Sequence, residues 1–228
     1  MADGSGISAV SAGSDRFGEQ PLEQTVAAAG ALRRVAGMLL ALEHPHPVVD
    51  DMLERFADWE RQLAAHAPAS PTPRLEQDER GRVYLNHAFD VGAFNPCFPE
   101  YRFDQLDAET ASGRVTFPLV YEGPPGLVHG GFLGVFFDCV TQHHSCAAGL
   151  AGRTRSLLVT YRRPTPILTE LDFDIVRNEV ERGIALTARL LHRGEVLCTG
   201  EVSTAAMAPE QVSPNRFGRR RPSEESKR

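Results

Sequence analysis

Hydrophobic positions recur along this chain at two different periods, and the change of period divides it. Between residues 21 and 66, Leu32, Val35, Leu39 and Leu42 fall three and four apart, the spacing of one helical face, until His44-Pro45-His46-Pro47 ends the run. A second helix is predicted from near Asp50, with Leu53, Phe56, Trp59 and Leu63 in the same rhythm. One apolar stripe per helix predicts that each packs on something larger. Ala67 to Pro73 holds three prolines, which forbid a helix, so residues 67–79 read as a linker.

The pattern changes over residues 80–207. Arg114 to Tyr121 is strand-like, and Gly123-Pro124-Pro125-Gly126 breaks it. An apolar run, Phe132 to Val140, follows. Four β-rich stretches come next: Thr154–Arg163, Leu171–Glu181, Ile184–His192 and Glu195–Ala206. Glu181-Arg182-Gly183 and Arg193-Gly194 join the last three at hairpin spacing. Phe132, Leu133, Val135, Phe136, Phe137 and Val140 cover every face of a helical wheel, which predicts a helix enclosed on all sides. One helix inside a strongly curved antiparallel sheet, an α+β design, is the simplest packing of these elements. Residues 1–20 and 208–228 are polar and read as disordered tails.

Composition narrows the class of protein. The 228 residues suffice for one full core plus an appendage. A net charge of −6 leaves no basic footprint for nucleic acid; Arg219-Arg220-Arg221 is followed at once by Glu224 and Glu225 and reads as a solvated tail. No run approaches the roughly 20 apolar residues of a membrane span, and the N-terminus lacks a signal-peptide pattern, so a cytoplasmic location without membrane association is expected. The four cysteines fit buried free thiols. Cys139, His143 and Cys146 share a helical face, but no fourth ligand stands at a characteristic spacing, so neither a metal nor a bound cofactor is expected. His143-His144 is expected where the helix approaches solvent.

Candidate chemistry gathers at the start of the enclosed helix. In Leu127-Val128-His129-Gly130-Gly131-Phe132, two glycines let a ligand atom come close to the backbone, and the unpaired N–H groups of a first turn suit a developing oxyanion. Gly-Gly alone more often makes only a tight loop-to-helix turn. Asp138, within Phe136-Phe137-Asp138-Cys139-Val140, is costly to bury unpaired, and it reads as a general base or nucleophile. It lies seven residues past Gly131, about 10 Å along a helix. If both act on one carbonyl, they come from different subunits.

Val128-His129-Gly130-Gly131-x6-Asp138, with Thr154 and Tyr161-x-x-Pro164, resembles the thioesterase superfamily of hotdog proteins, most nearly the phenylacetyl-CoA (PaaI) type and the HGG-containing acyl-CoA thioesterases of the THEM group. The resemblance covers about residues 100–207. It implies a hotdog fold, a central helix wrapped by a curved antiparallel sheet, here with an N-terminal helical extension. It also implies a homodimer or homotetramer. His129 would shape the glycine loop, the Gly130 N–H would meet the thioester oxygen with Gly131 in support, Asp138 would activate water or attack, and Thr154 would help place the water. Related enzymes often carry an Asn shortly before the motif, where this chain reads Tyr121-Glu122-Gly123-Pro124-Pro125.

The expected function is hydrolysis of an acyl-CoA to a free acid and CoA. Phe132 and Phe137 would line an acyl tunnel or belong to the core. Arg162 and Arg163 would hold the CoA phosphates or serve as solvated strand ends. Two alternatives remain: a non-catalytic acyl-CoA-binding module, and a hotdog dehydratase or hydratase, which ranks low because Asn95-Pro96 is followed by Cys97-Phe98 and no histidine.

Overall fold

The computed structural model describes residues 21–68, 70–73, 81–82, 90–178, 180 and 183–207; the tails expected to be disordered, 1–20 and 208–228, and most of the linker lie outside the described residues. The helical extension forms α1 (Glu23–Leu40) and α2 (Pro47–His66). α2 begins three residues before Asp50. Pro47 takes the first helical position, where a missing N–H costs nothing, and the His46 ring caps the turn by accepting from Val48 N at 3.2 Å. Arg33 anchors α1. Buried to 7% exposure, it donates to the carbonyl of Gly92 and pairs with Glu100 at 2.8 Å. α2 has no buried residue, so the packing expected of both helices is observed for α1 alone.

Ser70–Pro73 (β1) pairs in parallel with Gly81–Arg82 (β2), and a short helix, α3 (Val91–Phe94), precedes the main sheet. That sheet has six antiparallel strands in the order β3 (Tyr101–Leu106), β4 (Thr110–Thr116), β6 (Glu170–Asn178), β7 (Ile184–His192), β8 (Glu195–Met207) and β5 (Ala151–Tyr161). The strand expected to reach Tyr121 stops at Thr116. Pro118 follows, without an N–H for the ladder, and Leu119–Tyr121 closes into a 3-10 turn. Inward positions alternate as the pleat requires: Leu171, Phe173 and Ile175 on β6, and Ile184, Leu186, Ala188 and Leu190 on β7. At the β7–β8 hairpin, Arg193 and Gly194 both take positive φ, 52° and 80°, the signature of the two-residue turn whose twist matches the strands. No helix among the described residues is long and apolar enough to cross a membrane.

The central helix, α4 (Gly130–Ala147), lies against this sheet. It ends in a Schellman motif: Gly149, at φ 73°, donates to Cys146 O, and Leu150 donates to Ser145 O. Leu133, Phe136, Phe137, Val140, Thr141, His144 and Ser145 form its buried stripe. The helix is not enclosed on all sides within one chain, since Gly134, Val135, Asp138 and Gln142 are half-exposed and Gly131 is exposed. His144 also departs from expectation. It is fully buried, its Nε2 2.8 Å from the carbonyl of Asp107, so it ties the helix end to the β3–β4 turn and does not meet solvent.

Phe136 centres the core, with ring centroids 5.4–6.2 Å from Tyr101, Phe117, Phe137 and Phe173. Phe136→Ala is expected to remove about 3–5 kcal/mol of stability, read from the urea midpoint at unchanged slope.

Candidate active site

The Pro/Gly loop delivers His129 to the start of α4. Glu122 and Val128 bridge across it, and the Glu122 carboxylate accepts from Gly126 N at 2.6 Å. Gly123 passes so close beneath His129 that a Cβ there would lie 2.8 Å from the His129 Cα. His129 is extended (φ −65°, ψ 130°) and caps the helix with its own side chain, Nδ1 accepting from Gly131 N at 3.0 Å. Phe132 N donates to the His129 carbonyl. The Gly130 N–H has no hydrogen-bond partner among the described residues, and it sits at the positive end of an 18-residue helix. The Gly130 carbonyl accepts from Tyr161 Oη at 2.9 Å, which ties the turn to the end of β5.

Asp138 is half-buried two turns further along. Its Oδ1 accepts from Thr154 Oγ1 at 2.7 Å, and Thr154 Oγ1 in turn accepts from Gln142 Nε2 at 2.7 Å. Oδ2 has no hydrogen bond among the described residues. The Thr154 hydroxyl proton is thus directed at the carboxylate. The structure brings Asp138 and Thr154 together, and separately His129, Gly130 and Gly131. It does not bring the two groups together: eight residues of helix separate Gly130 from Asp138, about 12 Å of rise.

A bulge makes both ties from β5 compatible. Thr154 and Tyr161 are seven residues apart, an odd spacing that puts side chains on opposite faces of a regular strand. Their partners on β8, Thr204 and Cys198, are six apart, because the register shifts between Thr154 and Ser156. The extra residue turns Thr154 back toward the helix.

The remaining candidates divide. Phe132 is half-buried beside Tyr121 and His129, with centroids 4.8 and 6.1 Å away, at the mouth of the glycine turn. Phe137 is fully buried and packs on Gly200, where a Cβ would come within 2.5 Å of its ring. Arg162 and Arg163 are exposed just past Tyr161; Arg163 pairs with Glu195 at 2.8 Å, whereas Arg162 has no side-chain partner among the described residues. Among the described residues no group of three His, Cys, Asp or Glu could hold a metal. Burial, then the Asp138 charge, pushes the Cys139 thiol up to about 12, and His143 is engaged with Tyr101 Oη at 3.0 Å. A separate groove of about 460 Å³ between α1 and β3–β4 is lined by Arg33, Arg102 and Arg114, whose charges are met by Glu100, Asp104 and Glu170.

Two contributors carried no assigned role in the sequence. Gln142 follows Asp138 by four residues, the spacing that puts two side chains on one helical face, and that was its only signal. Tyr161 entered through its motif, without its bond to Gly130.

No protein-family model matches this chain, and no curated protein matches it. Solved structures do. A thioesterase-superfamily protein is 28% identical with a TM-score of 0.67, over 82% of this chain and 97% of its own. A hypothetical thioesterase from Streptococcus pneumoniae TIGR4, solved with coenzyme A, is 14% identical with a TM-score of 0.45, over 48% of this chain and 87% of its own. Thioesterase superfamily member 2 from Mus musculus is 14% identical with a TM-score of 0.43, over 47% and 82%. The first likeness is too long to be confined to residues 80–207 and runs into the helical extension. The fold is the hotdog of thioesterase-superfamily proteins.

Proposed function

We propose that the chain hydrolyses acyl-CoA thioesters to a free acid and CoA, at a site shared by two copies. The observation that carries this reading is a carboxylate with one oxygen held by Thr154, on the same helix as the Gly130 N–H; among the described residues neither the second oxygen nor that N–H has a hydrogen-bond partner. The thioesterase-superfamily structure that is 28% identical supports the reaction class.

In the proposed step, Asp138 Oδ2 takes a proton from water while the water oxygen attacks the thioester carbonyl carbon. The carbonyl oxygen becomes an oxyanion and lies against the Gly130 N–H of a second copy, where the helix dipole favours negative charge. Collapse of the adduct breaks the C–S bond. The CoA thiolate leaves, and the proton held by Asp138 is returned to it. No metal enters the scheme.

The second copy follows from distance. One helix cannot bring Gly130 and its own Asp138 to one carbonyl, but two antiparallel copies can set each glycine turn opposite the other's carboxylate. β5 is one of the two edge strands of the sheet, paired on one side only among the described residues, and its Leu158 and Tyr161 are 59% and 56% exposed. An edge strand of that character invites pairing with a second copy.

The test is thiol release from a panel of acyl-CoAs. Binding without release by the wild-type protein would sink the hydrolase reading and favour an acyl-CoA-binding module. Arg162 and Arg163 directly follow Tyr161, whose hydroxyl bonds the Gly130 carbonyl, and would take the CoA phosphates. Arg162→Glu is expected to raise KM for acyl-CoA several-fold, more than Arg163→Glu, since Arg163 is already paired. An unchanged KM in both variants removes the arginines from the site.

A further inference from the structure

Gln142 is half-exposed on α4, one turn beyond Asp138, and touches no atom that would react. From its hydrogen bond we infer that Gln142 is a positioning residue for catalysis, fixing the direction of the Thr154 hydroxyl proton and so holding Asp138 in its ionised, proton-accepting form. The inference rests on the hydrolase reading for its catalytic meaning, but its physical content stands alone.

A threonine hydroxyl has one proton and two lone pairs. An ionised carboxylate can only accept, so at 2.7 Å the Thr154 proton must point at Asp138 Oδ1. The Thr154 oxygen then has only lone pairs to offer Gln142, also at 2.7 Å, so the amide must present its NH2 group. The chain Gln142 → Thr154 → Asp138 therefore has one sense; a charged aspartate accepts that proton more strongly than a neutral one, although the same sense persists when the carboxyl proton sits on Oδ2. If Asp138 carried the proton on Oδ1, Thr154 would accept there, and its own proton would need an acceptor. The amide would have to turn over to supply one. Gln142, as a donor, biases the chain toward the ionised state. Without it, the hydroxyl is free to rotate away.

Other groups around the carboxylate do not take over this task. Arg153 and Arg155 flank Thr154 but are exposed, as is Glu201 on β8. Tyr101 and His143 bond each other. The Cys139 thiol is driven up by burial and by the Asp138 charge, so it stays neutral.

The experiment combines kinetics with a direct titration of Asp138 by carbonyl-carbon NMR, in the full-length wild type, Gln142→Met, Gln142→Glu and Thr154→Val. Met keeps the length and helix preference of Gln but donates nothing. Glu is an acceptor that competes for the Thr154 proton. Gln142→Met is expected to move the Asp138 midpoint up by about one unit, Thr154→Val at least as far, and Gln142→Glu further still. The acid limb of the kcat/KM profile should move up by the same amount, so the loss of rate is read at acidic pH, with KM unchanged. A purely structural glutamine would alter melting temperature without moving the titration. If Asp138 titrates alike in wild type and all three variants, the inference is overturned, even where kcat falls. If the titrations shift as expected but the wild type releases no thiol from any acyl-CoA, the positioning chain stands and the hydrolase reading fails.

Discussion

Asp138→Asn is expected to lower kcat about 10²–10⁴-fold, the range for losing a positioned general base, with KM for acyl-CoA within a factor of about two. The substitution separates chemistry from architecture. An asparagine carbonyl oxygen still accepts the Thr154 proton, so the bond that ties α4 to β5 survives. What disappears is the ability of the second oxygen to take a proton from water. Melting temperature should change little, because Asp138 is half-exposed and lies off the buried stripe. Thiol release followed beside a melting curve checks both halves. Turnover equal to the wild type would move the base elsewhere.

Gly130→Pro tests the other half and should cost about 10²–10³ in kcat, the loss seen when one oxyanion donor is deleted. Proline removes the N–H in question and little else. Position 130 is the first residue of α4, where proline is tolerated, and His129 already has the extended backbone that a following proline demands. The Tyr161 hydroxyl must give, since a Cβ at 130 would lie 3.0 Å from it, but that ring is exposed and sits at a strand end. The two variants together test the shared site. In a heterodimer of one Gly130→Pro chain and one Asp138→Asn chain, one site carries both defects and the other carries neither. Random reassortment should recover about a quarter of wild-type activity. No recovery would show that each chain works on its own.

Much of the fold is legible in the sequence. Strands Ile184–His192 and Glu195–Met207 follow from alternation and the Arg193-Gly194 turn, since period 2 and a two-residue hairpin are local properties. Asp138 stands out as a candidate because a carboxylate within Phe136-Phe137 and Cys139-Val140 violates the local pattern. What the sequence hid was tertiary. Tyr101–Leu106 buries only Tyr101 fully and half-buries Phe103, so β3 lacks a clear alternating signal. The helix that looked apolar on every face has one buried stripe in the single chain, because hydrophobicity reports a preference for burial and does not say which molecule supplies the cover. His144 belongs inside because the Asp107 carbonyl meets it there, a contact across 37 positions of sequence that no spacing rule could reveal. Gln142 stayed hidden for the same reason, since its partner lies on a different element.

The bulge in β5 also sets which length changes the chain can tolerate. Deleting Arg155, the unpaired residue, leaves Thr154 and Tyr161 six positions apart on a regular strand, still facing α4 together. Deleting Val159 shortens the strand by the same amount but keeps the bulge, which leaves five ladder steps between them and turns one side chain away. Two single-residue deletions four positions apart thus have opposite outcomes. Among natural variants of differing length, losses in this strand should fall at the bulge.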